Sequence, residues 1–399
     1  MVFKKIDSNN NNFHLECIKE DILSSIERNA PIIGARNPMI GKSATDFSWE
    51  YPKDYFWTDS FWTGELWLAY MITGKQEYKN MARMRNAHLK KILDTPLWLN
   101  HDLGFEFSLS AVADYKLTGN EKAKSLAIKA AEALRSRYNW NGEYILAWTA
   151  GSGNKKHAES VQGKIIIDGM ENLPLLMWAY SETGNETYKQ VAIGHAETCM
   201  KYIIRGDYST YHTYDFDPTT NSPIGGKTHQ GYADESCWSR GQAWAIHGYA
   251  QLALMTGDRK YAETSAKLAE YMLEKITDDL VPVWDYLLPA NEIQYKDTSA
   301  GAVTSAGLFI LANLFEEYGE FAKAERYQGV AMDMLCALRD KYDLTDNESA
   351  QGLLSDSASS VPHALLRDQE NLANAMLPYG DYYYFEAVLR AIGHRDLFW

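Results

Sequence analysis

Five copies of one short phrase constrain this chain more than any other feature. MITGKQEYKNMARM, KLTGNEKAKSLAIKAA, SETGNETYKQVAIGHA and LMTGDRKYAETSAKLA each set Thr-Gly ahead of polar residues and a helix-period run. A degenerate fifth copy reads EEYGEFAKAERYQGVA. Their glycines are Gly74, Gly119, Gly184, Gly257 and Gly319. Glycine just past an apolar helix takes the left-handed backbone that ends it, and the periodic run after it reads as the next helix. Each phrase is therefore the tight turn of an αα-hairpin. A helix from about Phe13 to Arg28 precedes the five hairpins and another, around Asp368–Arg390 with a strand-like YYYF stretch, comes after them, giving twelve helices.

Repeated hairpins at irregular spacing predict an all-α fold, an (α/α)6 barrel rather than a solenoid, with 1–399 as one domain. The first helix of each pair is expected inside and the second outside. EKAKSLAIKAAEALRSRY is amphipathic and charged, whereas FWTGELWLAYMI is apolar on most faces, as an inner wall requires. Hydrophobic residues at 46%, charged residues at 23% and only 11 prolines suit a helical globular chain. A net charge of −14 argues against nucleic acid as a partner, because phosphate binding needs a cationic surface. Cys17, Cys199, Cys237 and Cys336 show no CxxC spacing, which fits buried, reduced thiols in a cytoplasmic protein. The N-terminus has no apolar core of a secretory signal, and no run of about 18 apolar residues predicts a membrane span.

If the Thr-Gly turns share one end of the barrel, the inner helices all start at the other. Those starts carry Asp59, Asp102, Asp168, Asp234, Glu235 and Asp297, which are expected to converge on one mouth. Capping explains each acid singly but not the Trp and His residues beside them. The long connections Tyr138–Gly163 and Tyr202–Ala233 fall at that end, the second with a β-hairpin pattern, and Ile32–Lys53 reads as irregular structure over the mouth. Trp57, Trp62, Trp148, Trp238 and Trp244, with His101, His212, His229, Gln230 and Arg240, add aromatic plates and planar hydrogen-bonding groups. Such a set suits a sugar, and Arg240 offers a fork for a carboxylate or sulfate.

Asp168 stands out within IIIDGMENLPLLMWAY, Ile165 to Tyr180. An acid after three isoleucines is desolvated, which raises its pKa toward the range of a general acid. Pro174 fits the first helical turn, so the helix starts near Leu173 or kinks there, with Asp168 at its entrance. An N-cap is the competing role.

WTDSFWTGELW, HDLGF, IIDGMENLPLL, HQGYADESCWSRGQAW and DTSAGA, in this order from Trp57 to Ala302, resemble the motifs of glycoside hydrolase family 88, the unsaturated glucuronyl hydrolases. That resemblance implies an (α/α)6 barrel that needs no metal or organic cofactor. It implies removal of a 4,5-unsaturated uronic acid from the non-reducing end of lyase-generated oligosaccharides, with glycosaminoglycans as the expected source. It casts Asp168 as general acid/base, protonating C4 and assisting water addition at C5, and Asp102 as the second aspartate, holding sugar hydroxyls and tuning Asp168. Trp57, Trp148, His212, Gln230, Arg240 and Trp244 fall on substrate-binding positions. The expected partners are unsaturated uronyl disaccharides or oligosaccharides, with neither nucleic acid nor membrane, for a monomer or weak homo-oligomer.

Two departures from the family pattern stand out, the first bearing on Trp148 and the second on specificity. The loop from Gly151 to Gln162 is longer than the family pattern, and SDSASSVPHALLRDQE from Ser355 lacks the lysine that comes after the serines in members favouring sulfated substrates. Arg367 and His363 are the candidates to substitute for it. The rival readings are an unsaturated rhamnogalacturonyl hydrolase acting on pectin fragments, an inverting two-carboxylate glycosidase, and a non-enzymatic sugar-binding barrel.

Overall fold

The computed structural model describes residues 8–149 and 160–399. In it, Gly74, Gly119, Gly184 and Gly257 end helices at φ of 69°, 68°, 69° and 69°. None has a neighbour that a Cβ would strike, so the backbone angle alone calls for glycine. The preceding threonine has its own task. Thr73, Thr118, Thr183 and Thr256 donate their hydroxyls to the carbonyl four residues back. Thr73, Thr183 and Thr256 also accept the N–H two residues ahead. Asn120, Asn185 and Asp258 then cap the following helix through their side chains.

Among the described residues, six inner segments close a ring, each packed on the next and the last on the first. They begin with Phe61–Thr73, then Leu103–Phe107 continued through a π turn, Ser108–Val112, into Ala113–Thr118. Ile167–Asn172, a 3₁₀ turn, leads into Leu173–Thr183, followed by Ser239–Thr256, Thr298–Glu317 and Pro378–Ala391. The outer layer holds Ser8–Ile33, the short pair Gln76–Arg83 and Asn86–Asp94, Glu121–Arg135, Glu186–Tyr202, Arg259–Lys275 and Phe321–Tyr342. This is the expected (α/α)6 barrel. Thr298–Glu317 is long and apolar enough to cross a membrane, but 94% of that window is buried as inner wall.

Several boundaries differ from expectation. The last helix starts at Pro378 rather than Asp368, and a separate helix, Val361–Arg367, sits before it. YYYF is helical and buried, because the inner wall accepts aromatic residues on every side. Ile32–Lys53 holds a small hairpin, Ile40–Gly41 with Trp49–Glu50, fastened to Gln351 and Met376. None of its residues lines the mouth cavity. All four cysteines are unpaired, and Cys199 and Cys237 are buried as expected, but Cys336 is half-buried and Cys17 is exposed on the outer helix Ser8–Ile33. Most of the loop expected to be lengthened, residues 151–159, lies outside the described residues.

Candidate active site

Lys164–Ile166 forms a strand, antiparallel to Thr213–Phe216, which also pairs with Pro223–Lys227. This is the expected hairpin, extended by one strand. Ile166 lies opposite Thr213, and the Ile167 amide donates to the His212 carbonyl at 3.0 Å. The register therefore delivers His212 beside Asp168. Asp168 itself sits in the 3₁₀ turn, with the α-helix starting at Leu173 and Pro174 in its first turn. Its side chain caps neither the turn nor the helix.

The HDLGF and IIDGMEN segments are locked together. Asn172 donates to the Asp168 carbonyl at 3.1 Å and accepts the Phe105 amide at 2.8 Å. A Cβ on Gly104 would lie 2.2 Å from the Asn172 Cα, so only glycine lets the two segments approach this closely. Asp102 and Asp168 thus share a cavity of about 280 Å³ at the mouth. Trp57, Trp148 and Gln230 also line it, with His101, His229, Ser359, Ser360, His363 and Arg367. Trp57 stacks on Tyr379 at 4.9 Å, and Trp148 meets His101 and His229 edge-on or tilted.

The other three predicted residues stand behind this wall. His212 Nδ1 accepts the His229 and Gln230 amides, each at 3.1 Å, and its Nε2 lies 3.7 Å from Asp168 Oδ2. Arg240 is 1% exposed, and its fork is committed to Asp297, the Ala358 carbonyl and the Ser359 carbonyl. Gln230 donates to the same Ser359 carbonyl at 2.7 Å. Trp244 is 0% exposed, packed among Phe105, Tyr379 and Tyr383. Trp62 and Trp238 are likewise buried wall residues.

Of the six acids expected at the mouth, Asp102 and Asp168 line the cavity. Asp59 is held by His88 at 2.7 Å, and Asp297 caps its helix through the Ala300 amide while pairing with Arg240. Asp234 turns outward to Lys227, and Glu235 to Tyr211. An acid at a helix start serves the backbone or a neighbouring ion unless a cavity opens beside it.

Burial dominates the electrostatics. It raises Asp168 to about 7, against the pull of Arg240 and with the push of Glu171. Asp102 is held well above the carboxylate range by burial and then by the charge of Asp168. Desolvation is the largest cause at both carboxyl groups, and the two repel when both are charged. Burial holds His101 and His212 neutral. With two amides donating to Nδ1, the neutral His212 ring carries its proton on Nε2, toward Asp168.

Residues overlooked in the sequence include Asn172 and a buried trio, Glu171, His247 and Glu386, all 0% exposed. Their signal was there: polar residues inside the apolar runs GMENLPLL, WAIHGYA and YYYFEAV.

A closed ring of helix hairpins whose mouth cavity holds two buried carboxyl groups and aromatic plates defines a glycoside hydrolase of the (α/α)6 class. No protein-family model matches the chain. The unsaturated glucuronyl hydrolase of Bacillus sp. (strain GL1) is 37% identical over 371 residues, 93% of this chain and 94% of that protein. The unsaturated chondroitin disaccharide hydrolase of Streptococcus agalactiae serotype III (strain NEM316) is 34% identical over 344 residues, 86% of this chain and 83% of that protein. The crystal structure of the Bacillus sp. GL1 unsaturated glucuronyl hydrolase, described as responsible for the degradation of glycosaminoglycan, superimposes with a TM-score of 0.86 at 35% identity, covering 94% of this chain and 96% of that one. The chain belongs to the unsaturated glucuronyl hydrolases, glycoside hydrolase family 88.

Proposed function

We propose that this enzyme removes a 4,5-unsaturated glucuronic acid from the non-reducing end of lyase-generated glycosaminoglycan oligosaccharides by hydrating the C4=C5 bond. The observation that carries this reading is Asp168, buried in the cavity wall and poised near pH 7. A carboxyl group half-protonated at neutral pH can act as acid and then as base. Asp168 gives its proton to C4, water adds through oxygen to C5, and the proton lost by that water returns to the Asp168 carboxylate. The resulting hemiketal opens, and the glycosidic oxygen leaves with the aglycone.

Asp102, kept protonated, holds a sugar hydroxyl by donating to it. The His212 Nε2–H steadies the Asp168 carboxylate when it forms. Trp57 and Trp148 stack along the sugar, and Gln230 fixes the wall beside it. Arg240 and Trp244 serve indirectly: Arg240 holds Ser359 and Trp244 backs the wall. The names of the relatives support a glycosaminoglycan source over a pectin one. Arg367 in the cavity lining supports acceptance of an anionic group on the aglycone, despite the missing lysine, whereas burial and the Arg367 charge lower the pKa of His363 and leave it a neutral hydrogen-bonding ring. Residues 1–399 act as one catalytic domain, as a monomer or weak homo-oligomer, and the unpaired cysteines support a cytoplasmic setting.

The test is a panel of unsaturated chondroitin, sulfated and unsulfated, and rhamnogalacturonan disaccharides, tracked by loss of ultraviolet absorbance. Turnover of the chondroitin set that disappears in a folded Asp168→Asn variant supports the reading. Turnover of the rhamnogalacturonan disaccharide alone, or near-wild-type activity of Asp168→Asn, overturns it.

A further inference from the structure

Beneath the mouth, on the barrel axis, lies a charged column that the hydration chemistry leaves without a task. His247 places Nδ1 2.8 and 2.9 Å from the two oxygens of Glu171 and Nε2 3.3 Å from Glu386 Oε1. Tyr383 donates its hydroxyl to Glu171 at 2.7 Å. Glu386 also accepts from Arg390 at 2.8 Å and from the indole of Trp399 at 2.6 Å. Desolvating ions costs about as much as pairing them returns, so buried pairs of this kind are a poor source of stability. Their placement suggests another role. Glu171 lies three residues after Asp168 in the 3₁₀ turn Ile167–Asn172. Residues three apart in such a turn stand one above the other. Asp168 faces the cavity and Glu171 stands one turn deeper, clamped by His247 from Ser239–Thr256 and by Tyr383 from Pro378–Ala391.

We propose that Glu171 is a positioning residue for the reaction: held by His247 and Tyr383, it fixes the turn that carries Asp168 and sets its readiness to give up a proton. This rests on the reading of Asp168 as general acid. The charged and titratable groups facing Asp168 are Asp102 and His101 at the start of the Leu103 helix, His212 beside the strand, Arg240 in the Ser239 helix and Tyr379 in the last helix. Glu171 is the like charge on its own turn, and its field opposes ionisation of Asp168. Around Glu171 itself stand His247, Tyr383 and, beyond the imidazole, Glu386 with Arg390. Burial opposes a charge on His247, yet the two glutamates hold the imidazolium up to about 9, so the column keeps its charge across the neutral range.

The experiment is the pH dependence of kcat/KM on an unsaturated chondroitin disaccharide for wild type, Glu171→Gln, Glu171→Asp and Tyr383→Phe, with Asp168→Asn alongside. Glu171→Gln removes the opposing charge, and the limb belonging to Asp168 moves toward acid by about one pH unit, the scale of a buried unit charge one turn away. Glu171→Asp keeps the charge and brings the limb back toward wild type. Tyr383→Phe leaves the Glu171 charge less offset and moves the limb toward alkali, which keeps the test intact should Glu171→Gln not fold. A lowered kcat or Tm with every limb unmoved shows a structural role only and overturns the proposal. If Asp168→Asn turns over like wild type, the underlying reading fails. If it is inactive and the limbs stay in place, this inference alone fails.

Discussion

His212 Nε2 lies 3.7 Å from Asp168 Oδ2, and among the described residues neither atom has a hydrogen-bond partner. The two backbone amides on His212 Nδ1 fix which ring nitrogen carries the proton. The imidazole is thus a neutral donor aimed at the carboxyl group that exchanges protons. Replacing His212 by Ala lowers kcat/KM about 10²-fold, the usual scale for a group assisting proton transfer. Steady-state kinetics within a few-fold of wild type contradict this.

The raised pKa of Asp168 has consequences for both activity and stability. With its folded value near 7, kcat/KM is level below that pH and falls about tenfold per unit above it. The fold prefers the protonated acid, because the folded value stands above the ordinary 3.8. Stability from this group is therefore whole below about pH 4 and lost as pH rises through 7. Asp168→Asn, neutral at every pH, is more stable than wild type at pH 8 by up to about 4 kcal/mol and level with it at pH 4. Thermal unfolding at the two pH values checks this; a gap independent of pH contradicts it.

Arg240 holds a loop together. Its guanidinium joins Asp297 to the carbonyls of Ala358 and Ser359, and Ser359 borders the cavity. Arg240→Ala leaves the fully buried Asp297 without its cation and costs about 3–5 kcal/mol in denaturant unfolding. KM rises as well, because the wall loses its anchor. Arg240→Lys recovers little, since one ammonium cannot reproduce the planar fork. Full rescue by lysine counts against an anchoring role for the fork.

Two tryptophans separate binding from packing. Trp148 lines the cavity, whereas Trp244 is sealed within the inner wall. Trp148→Ala raises KM with little change in Tm. Trp244→Ala costs about 3–5 kcal/mol of stability, as expected for a large buried aromatic cut to a methyl group. Measuring both properties for both variants checks the division; interchanged effects contradict it.

The barrel was legible because its turns are local: Thr-Gly ends four inner helices, and in three of those turns the next residue caps the helix that follows. Asp168 was legible because three isoleucines announce a buried environment, and its neighbours Asp102, Trp57, Trp148 and Gln230 do reach one cavity. Arg240 and Trp244 were harder to place. A guanidinium can bind a ligand or a carbonyl with the same geometry, and only the fold shows that Ala358 and Ser359 arrive first. The same blindness applied to Asp234 and Asp297, whose side chains turn to partners that the local sequence does not reveal. The Glu171–His247–Glu386 column went unseen because each member comes from a different inner segment, and no single stretch shows that they meet.

Hydration and displacement differ in where the chemistry falls: water adds across C4=C5 in the first, and the aglycone is displaced at C1 in the second. Turnover of an unsaturated chondroitin disaccharide in D₂O, read by NMR of the released uronic product, separates them most directly. Hydration by Asp168 predicts one solvent deuterium at C4 from wild type and no such product from Asp168→Asn. Release of the aglycone with C4 free of deuterium and the double bond intact would contradict it.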